Sequence, residues 1–369
     1  MLRKPVLGRD VLLFFEDRDQ DTFVRGDRRL RRRLRKAAAI FRPNKQNITG
    51  FEMSFMLLCR ALRLAHQTVH VNNFRLARRH PEYPVGICGY THILNDWKLP
   101  NPAVLGPGLY DHPRQNLALM DDSRFRSYLM FCNWMRDMFA TGYDSEMLRL
   151  WFGGIDLSEW PDAKHLTKSI DVLVYDKIRW NRDTFVPNLL QPILDELSRR
   201  GLRFHVLEYG RYTHPRYRAL LKRSRSMIFL CEHETQGMAY QESLASDVPV
   251  LAWDQGYWLD PNRHRWESGP VAATSVPYFS DQCGERFKGL HDLGPALDRF
   301  MSRLASYSPR RYVSQHLSLT KSAELYLQAY HDAAADTPRS SVDALQAAFG
   351  VPIPTCQVSS AIAKTSATS

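Results

Sequence analysis

Residues 169–254 constrain the fold of this 369-residue chain more than any other stretch, because short continuous apolar runs alternate there with amphipathic ones. SIDVLVYDK (169–177), FHVLEYG (204–210), SMIFLCEH (226–233) and VPVLAWD (248–254) read as strands, most of them without polar alternation, as strands buried on both faces do. Between them PNLLQPILDELSRRG (187–201), HPRYRALLKRSR (214–225) and MAYQESLASD (238–247) carry helix patterns, the first with Pro187 near its start and Gly201 at its end. Such alternation predicts a parallel sheet covered by helices on both faces.

The preceding 150 residues repeat the theme less cleanly. Strand-like runs occur at 11–15, 68–72, 85–90, 102–108 and 127–132, and MSFMLLCRAL (53–62) has a helical apolar face. The segment LWFGGIDLSEWPD (150–162), with two glycines and a proline, separates the halves. This predicts a first Rossmann-like domain over 1–150 and a second over 151–308. Amphipathic patterns over 289–306 and 312–335 close the fold, and 309–335 is expected to form a helix returning to the first domain. Residues 336–369, rich in Ser, Thr, Ala and Pro, read as a disordered tail.

The net charge of +11 is concentrated in one half. Residues 1–150 hold 25 Lys and Arg against 15 Asp and Glu, whereas 151–369 hold 25 against 24. RGDRRLRRRLRK (25–36) has eight basic residues and one Asp, with Leu30, Leu34 and Ala38 in a single narrow apolar stripe. A basic helix of this kind suits an anionic partner: a membrane surface, an anionic glycan or nucleic acid. The narrow stripe favours electrostatic docking over deep insertion.

The six cysteines are scattered and none lies at C-x-x-C spacing, so neither a zinc knuckle nor a redox pair is indicated and a reducing compartment is expected. The apolar run Val11–Phe15 ends at Glu16-Asp17, too short for a signal peptide, and no run approaches the roughly 18 apolar residues of a membrane span. A cytoplasmic protein follows, with any membrane contact peripheral.

Ligands of open parallel sheets bind beyond the C-terminal strand ends, where helix N-termini present free N–H groups. One such place stands out. The strand SMIFLCEH is followed by the turn Glu234-Thr235-Gln236-Gly237 and a helix beginning near Met238. Glu234 lies at the strand tip, Gly237 permits close approach of a ligand to the backbone, and Glu242, one turn into the helix, suits a diol such as ribose. Glu232 and Glu234 flank His233 without a further His or Cys at ligand spacing, so no metal is expected.

EHETQGMAYQESLASDVPVLAWD (232–254) resembles the E-x7-E signature of retaining glycosyltransferases of the GT-B fold: Glu234, Gly237, Met238, Glu242, the small-residue run and the strand Val248-Pro249-Val250. WFGGID (151–156) resembles the stretch that ends the first domain of these enzymes. The resemblance covers about 145–335 well and 1–145 loosely. It implies an α/β fold of two Rossmann-like domains facing across a cleft, with a C-terminal helix crossing back. It also implies that Glu234 contacts the hydroxyls of a donor sugar, Glu242 its nucleotide ribose, and the amides near Gly237 and Met238 its phosphates.

The family places an Arg and a Lys after the first strand of the second domain to neutralise the diphosphate. In DKIRWNRD (176–183) Lys177 and Arg182 have about that spacing, and Arg179 competes with them, although the usual G-R-L…K-G form is absent. The glycine-rich loop of the first domain corresponds to Asn47-Ile48-Thr49-Gly50-Phe51, without the double glycine, with Gly50 nearest the helix start. His112 falls where some members place a sugar- or acceptor-contacting histidine.

The resemblance thus implies a hexosyltransferase-like enzyme with a nucleoside-diphosphate sugar as donor and no metal cofactor. The expected acceptor is a surface-glycan or lipid-linked saccharide. The basic half also suits nucleic acid, as in enzymes that glycosylate DNA bases, and the fold alone also suits a non-catalytic nucleotide-sugar-binding protein.

Overall fold

The computed structural model describes residues 4–17, 49–95, 97–160 and 162–335. The basic run 25–36, Asn47 and the tail 336–369 lie outside the described residues.

The first half contains β1 (Asp10–Glu16), α1 (Gly50–Leu64), β2 (Thr68–Val71), α2 (Phe74–Arg79), β3 (Val85–Tyr90), β4 (Ala103–Leu109), β5 (Phe125–Met130), α3 (Asn133–Phe139) and β6 (Leu148–Leu150). Its six strands form one sheet in the order β2-β1-β3-β4-β5-β6, with every described pairing parallel. Central strands β3 and β4 are buried along nearly their whole length, as their continuous apolar sequence requires. Helix α1 starts at a capping box: Thr49 Oγ1 accepts from the Glu52 amide, and Glu52 Oε2 accepts from the Thr49 amide at 2.8 Å.

The second half contains β7 (Ile170–Lys177), α4 (Arg182–Phe185), α5 (Gln191–Arg199), β8 (Phe204–Glu208), α6 (His214–Arg223), β9 (Ser224–Cys231), α7 (Met238–Ala245), β10 (Val250–Trp253), β11 (Gly284–Phe287), α8 (Leu290–Ser302), α9 (Pro309–His316) and α10 (Leu319–Ala334). Its five strands are parallel in the order β11-β10-β9-β7-β8. The core between this sheet and its helices is built from Val172, Val174, Ile228, Leu230 and Leu251 against Ile193, Leu197, Leu297 and Phe300. Two parallel α/β sheets in one chain are the architecture that the resemblance implies.

The structure differs from sequence expectation in the closing helices. The pattern over 312–335 is realised as two helices, α9 and α10, broken at Leu317-Ser318. Ser318 caps α10 by accepting from the Lys321 amide, while the Ile155 amide donates to Leu317 O at 2.8 Å. Backbone pairing with the inter-half segment therefore interrupts what periodicity alone makes continuous. Helix α9 packs on α7, whereas α10 packs on α1 and the first sheet. Tyr330 makes that second contact specific: its hydroxyl accepts from the Leu12 amide at 2.8 Å and donates to Pro84 O at 2.5 Å.

The short helix α4 runs through a wide π turn, Val186–Leu190, into α5. Pro192 lacks the N–H that would continue the ordinary ladder there, which accounts for the loosened turn. Among the described residues no helix is long and apolar enough to cross a membrane.

Candidate active site

Strand order locates the site. From β7 the chain goes to β8 on one side and then returns to β9 on the other, so the crevice beyond the C-terminal ends of β7 and β9 is a topological switch point. Lys177 and Cys231 are register partners at that edge. The ammonium of Lys177 is ion-paired with Glu234 Oε1, and both side chains are largely buried, at 13% and 11% exposure. Tyr209, just beyond β8, presents its ring 4.6 Å from the same ammonium. Burial alone would push Lys177 down. The Glu234 carboxylate and the Cys231 thiol together outweigh it and hold the lysine above its usual range.

The loop after β7 is fastened to the loop after β9. Glu232 Oε1 accepts from the amides of Arg179 (2.8 Å) and Trp180 (3.0 Å), and Arg179 Nη2 donates to His233 O at 2.8 Å. Arg179 therefore shares the crevice with Lys177 and Glu234. Arg182 is placed differently: its guanidinium grips both oxygens of Asp176, at 3.0 and 2.7 Å, and donates to Ile178 O. Of the three candidate cations, Lys177 and Arg179 are brought to Glu234, while Arg182 anchors the loop on Asp176.

Gly237 stands at φ 78°, and a Cβ there would strike the Tyr240 ring. Glycine is thus required both by the left-handed backbone and by the close ring. It is also the N-cap of α7, and no side chain caps that helix, so the amides beginning at Met238 retain capacity for an external acceptor. Glu242 lies one turn further on and is buried. Burial raises its pKa to about 8 against the opposing pull of Arg218 and Lys177. Its charge is felt at Tyr175, Tyr212 and Tyr217, and Tyr175 shares a 2.5 Å hydrogen bond with Tyr212.

The turn that joins Glu234 to Gly237 is tied to the segment between the halves and to the first half. The Gln236 amide accepts from Gly153 N–H at 3.0 Å and donates to Gly153 O. Trp134 Nε1, on α3, donates to Glu234 O at 2.8 Å. The glycines of WFGGID thereby acquire a reason: Gly153 offers its backbone to Gln236, and a Cβ at Gly154 would lie 2.6 Å from Leu319 Cα and Ser318 O.

His112 is fully buried and reaches the second half. Its Nδ1 accepts from the Arg114 amide at 3.2 Å, which assigns the proton to Nε2, the donor to Glu267 Oε1 at 3.0 Å. Burial draws His112 below the usual histidine range although Glu267 opposes this. Gly50 begins α1, and its missing side chain would meet nothing within 4 Å, so no close approach explains it.

Sequence reasoning did not single out Trp134, Gln236 or Tyr209, nor the pair His92–Glu16. In that pair Nε2 and Oε2 are 3.1 Å apart, beside the switch point of the first sheet between β1 and β3. Trp134, Tyr209, Glu16 and His92 sit in no recognisable spacing, and Gln236, although inside the Glu234–Gly237 turn, acquires its partner Gly153 only through the fold. Among the described residues no group of three His, Cys, Asp or Glu is arranged to hold a metal ion.

No family model matches the chain, and no curated protein matches it. Among solved structures it is similar to AviGT4, a glycosyltransferase involved in avilamycin A biosynthesis, at 12% identity over 89% of this chain and 99% of that one, TM-score 0.48. It is similar to the apo form of the lipopolysaccharide outer core galactosyltransferase WaaB, at 9% identity over 88% and 98%, TM-score 0.48. A third is sucrose-phosphate synthase from Thermosynechococcus elongatus, at 11% identity over 88% and 99%, TM-score 0.49.

Proposed function

We propose that this chain is a retaining glycosyltransferase that moves a sugar from a nucleoside-diphosphate sugar to a saccharide acceptor, of the surface-glycan or lipid-linked kind. The observation that carries the reading is the Lys177–Glu234 ion pair at the switch point of the second sheet, followed by Gly237, the uncapped start of α7 and buried Glu242.

Each part has a task in such a reaction. The leaving diphosphate gains charge as the bond from its oxygen to the sugar C1 breaks, and cations or amides that meet this charge lower the barrier. Lys177, Arg179 and the first amides of α7, from Met238 on, supply them, and Gly237 lets the phosphates close on the backbone. When the ammonium of Lys177 moves to the diphosphate, Glu234 is released to accept hydrogen bonds from the donor sugar. Glu242 takes the ribose hydroxyls. The acceptor oxygen bonds to C1 on the face the diphosphate leaves, and its proton passes to the departing phosphate oxygen, so no protein base is required. Arg182 supports the reaction by holding the loop on Asp176, and His112 by joining the halves through Glu267.

A cytoplasmic setting goes with this reading and is supported by the five described cysteines, all buried free thiols. A thermal-shift screen against UDP-, GDP-, ADP- and dTDP-sugars tests the proposal. One nucleotide class should stabilise the protein, by about 2.7 kcal/mol at a hundredfold excess over Kd. Absence of a shift with all four classes would overturn it.

A further inference from the structure

The crossover from β2 to β3 carries a surface that the transfer reaction leaves unused. Helix α2 within it is only six residues long, too short to hold itself in water, so its neighbours hold it. Asn73 caps its start by accepting from the Leu76 amide at 3.1 Å. Leu76 and Ala77 are buried, and the Phe74 ring packs 4.7 Å from that of Phe14 and 6.3 Å from that of Trp97. Asn101 closes the other end: its amide nitrogen donates to Ala77 O at 3.4 Å and to His80 O and Tyr83 O at 2.8 Å each.

Those bonds leave the arginines of α2 without a structural task. Cations in a last helical turn commonly fold back on its open carbonyls, and here Asn101 takes that place. At about 100° per residue, Phe74, Arg75, Arg78 and Arg79 share one side of the helix, opposite Leu76 and Ala77, and all four are exposed. The Arg78 guanidinium lies 6.0 Å from the Phe74 ring centre on that side. Among the described residues, none of Arg75, Arg78 and Arg79 is paired with a carboxylate. The carboxylates at the two ends of the crossover face other partners: Glu16 faces His92 at 3.1 Å, and Glu82 faces Lys4 and His80 at 3.7 and 3.8 Å. Two more exposed side chains adjoin the face. Lys98 stands on the segment between Trp97 and Asn101, both of which touch α2, and Val71 ends the edge strand β2. Val71 is 41% exposed and Phe74 40%.

We propose that this face docks the protein on an anionic lipid surface, with Arg75, Arg78 and Arg79 meeting headgroup phosphates and the exposed edge of Phe74 entering the boundary of the acyl chains. The guanidinium fork matches phosphate oxygens in pairs. Phe74 and Val71 favour lipid over nucleic acid. The Phe74 ring is already flanked by Phe14, Trp97 and Arg78, whereas a base stacks on a free ring face. An exposed valine and phenylalanine offer nothing to a phosphate backbone, but both leave water on entering lipid. The apolar area is small, so the binding depends on lipid charge and weakens with salt. The basic run 25–36 is a separate source of attraction for anions, which the test tells apart. The proposal goes beyond the transferase reading and does not rest on it.

The test is co-sedimentation of the full chain with phosphatidylcholine vesicles, with and without about 30% phosphatidylglycerol, alongside a gel shift with a DNA duplex. The protein should bind the anionic vesicles only. Arg75→Gln, Arg78→Gln and Arg79→Gln combined should weaken this about a hundredfold, at about fivefold for each basic residue. Phe74→Ala should weaken it about fivefold. Melting curves check that each variant is folded, and the arginine variant decides alone if Phe74→Ala is not. A variant with the same loss of charge at exposed positions of the second half, Arg216→Gln, Lys222→Gln and Arg311→Gln, should stay within about twofold of wild type, because the attraction fades within a Debye length of the surface. Absence of binding to anionic vesicles overturns the proposal. So does undiminished binding by the α2 arginine variant, which leaves the attraction to other segments, and equal loss in both triple variants, which leaves only net charge. Duplex binding abolished by the α2 variant, without vesicle binding, makes the partner a nucleic acid and overturns it as well.

Discussion

Lys177 and Glu234 neutralise each other across the mouth of the second sheet, with Tyr209 4.6 Å from the ammonium and the thiol of Cys231 3.3 Å from the carboxylate. Under the proposed function the cation for the diphosphate is paired with the carboxylate for the donor sugar, so binding a diphosphate sugar exchanges both partners at once and the pair is sensitive to either part of the donor.

Removing one partner of a largely buried ion pair leaves the other uncompensated. Lys177→Ala should lower stability by about 3 kcal/mol, and Lys177→Ala combined with Glu234→Ala should cost at least about 1 kcal/mol less than the sum of the singles. Urea denaturation of the four proteins measures the coupling. Additive losses would show that the pair contributes nothing specific.

Two buried groups set opposite pH slopes. His233, held at about 2, binds its proton only in the unfolded chain, so its contribution to stability rises with pH from about 2 to the usual 6.5. Glu242, raised to about 8, keeps its proton longer in the folded chain, so its contribution falls as pH rises from 4.5 to about 8. The two cancel between 4.5 and 6.5, and above 6.5 only the loss from Glu242 remains. Glu242→Gln should therefore raise the melting temperature at pH 9 more than at pH 6, and His233→Phe should flatten the acid limb below pH 4.5. Melting curves at four pH values decide; parallel profiles for wild type and both variants would contradict the assignment.

The second sheet was readable because each of its central strands is a continuous apolar run, and the Glu234–Glu242 segment because strand, turn, glycine and helix stand together in sequence. The ion pair was not readable as such. The resemblance assigns Lys177 to a phosphate and Glu234 to a sugar, and only the β7–β9 pairing makes them partners. Arg182 satisfied the family spacing, yet Asp176, six residues before it, takes its guanidinium. The break at Leu317-Ser318 arises from pairing with Ile155, a long-range contact that helix periodicity does not encode.

Gln236 and Gly154 should control how the halves are joined. Gln236→Ala leaves the Gly153 amide and carbonyl without their partner, at a cost of about 1–3 kcal/mol. Gly154→Ala drives a Cβ into the backbone of Ser318 and Leu319, which cannot yield as a side-chain tip would, and should cost more than about 3 kcal/mol. Chemical denaturation measures both. Equal, sub-kilocalorie losses would show that the junction is loosely held.

Gly237→Ala should lose nucleotide-sugar binding and about 2 kcal/mol of stability, because alanine is strained at φ 78° and its Cβ displaces Tyr240. Gly50→Ala serves as the contrast. Nothing lies within 4 Å of a Cβ there, so stability should change by under about 1 kcal/mol. If both glycines tolerate alanine equally in stability and binding, the turn at Gly237 has no special role.

The most direct test of the donor site is calorimetry with the nucleotide sugar that gives the largest thermal shift, on wild type, Glu234→Ala, Glu242→Ala and Lys177→Ala. The expected result is one site per chain in the wild type and at least about thirtyfold weaker binding, roughly 2 kcal/mol, in each variant. Full wild-type affinity in Glu234→Ala and Glu242→Ala would contradict the account, because the carboxylates around which it is built would then not touch the donor.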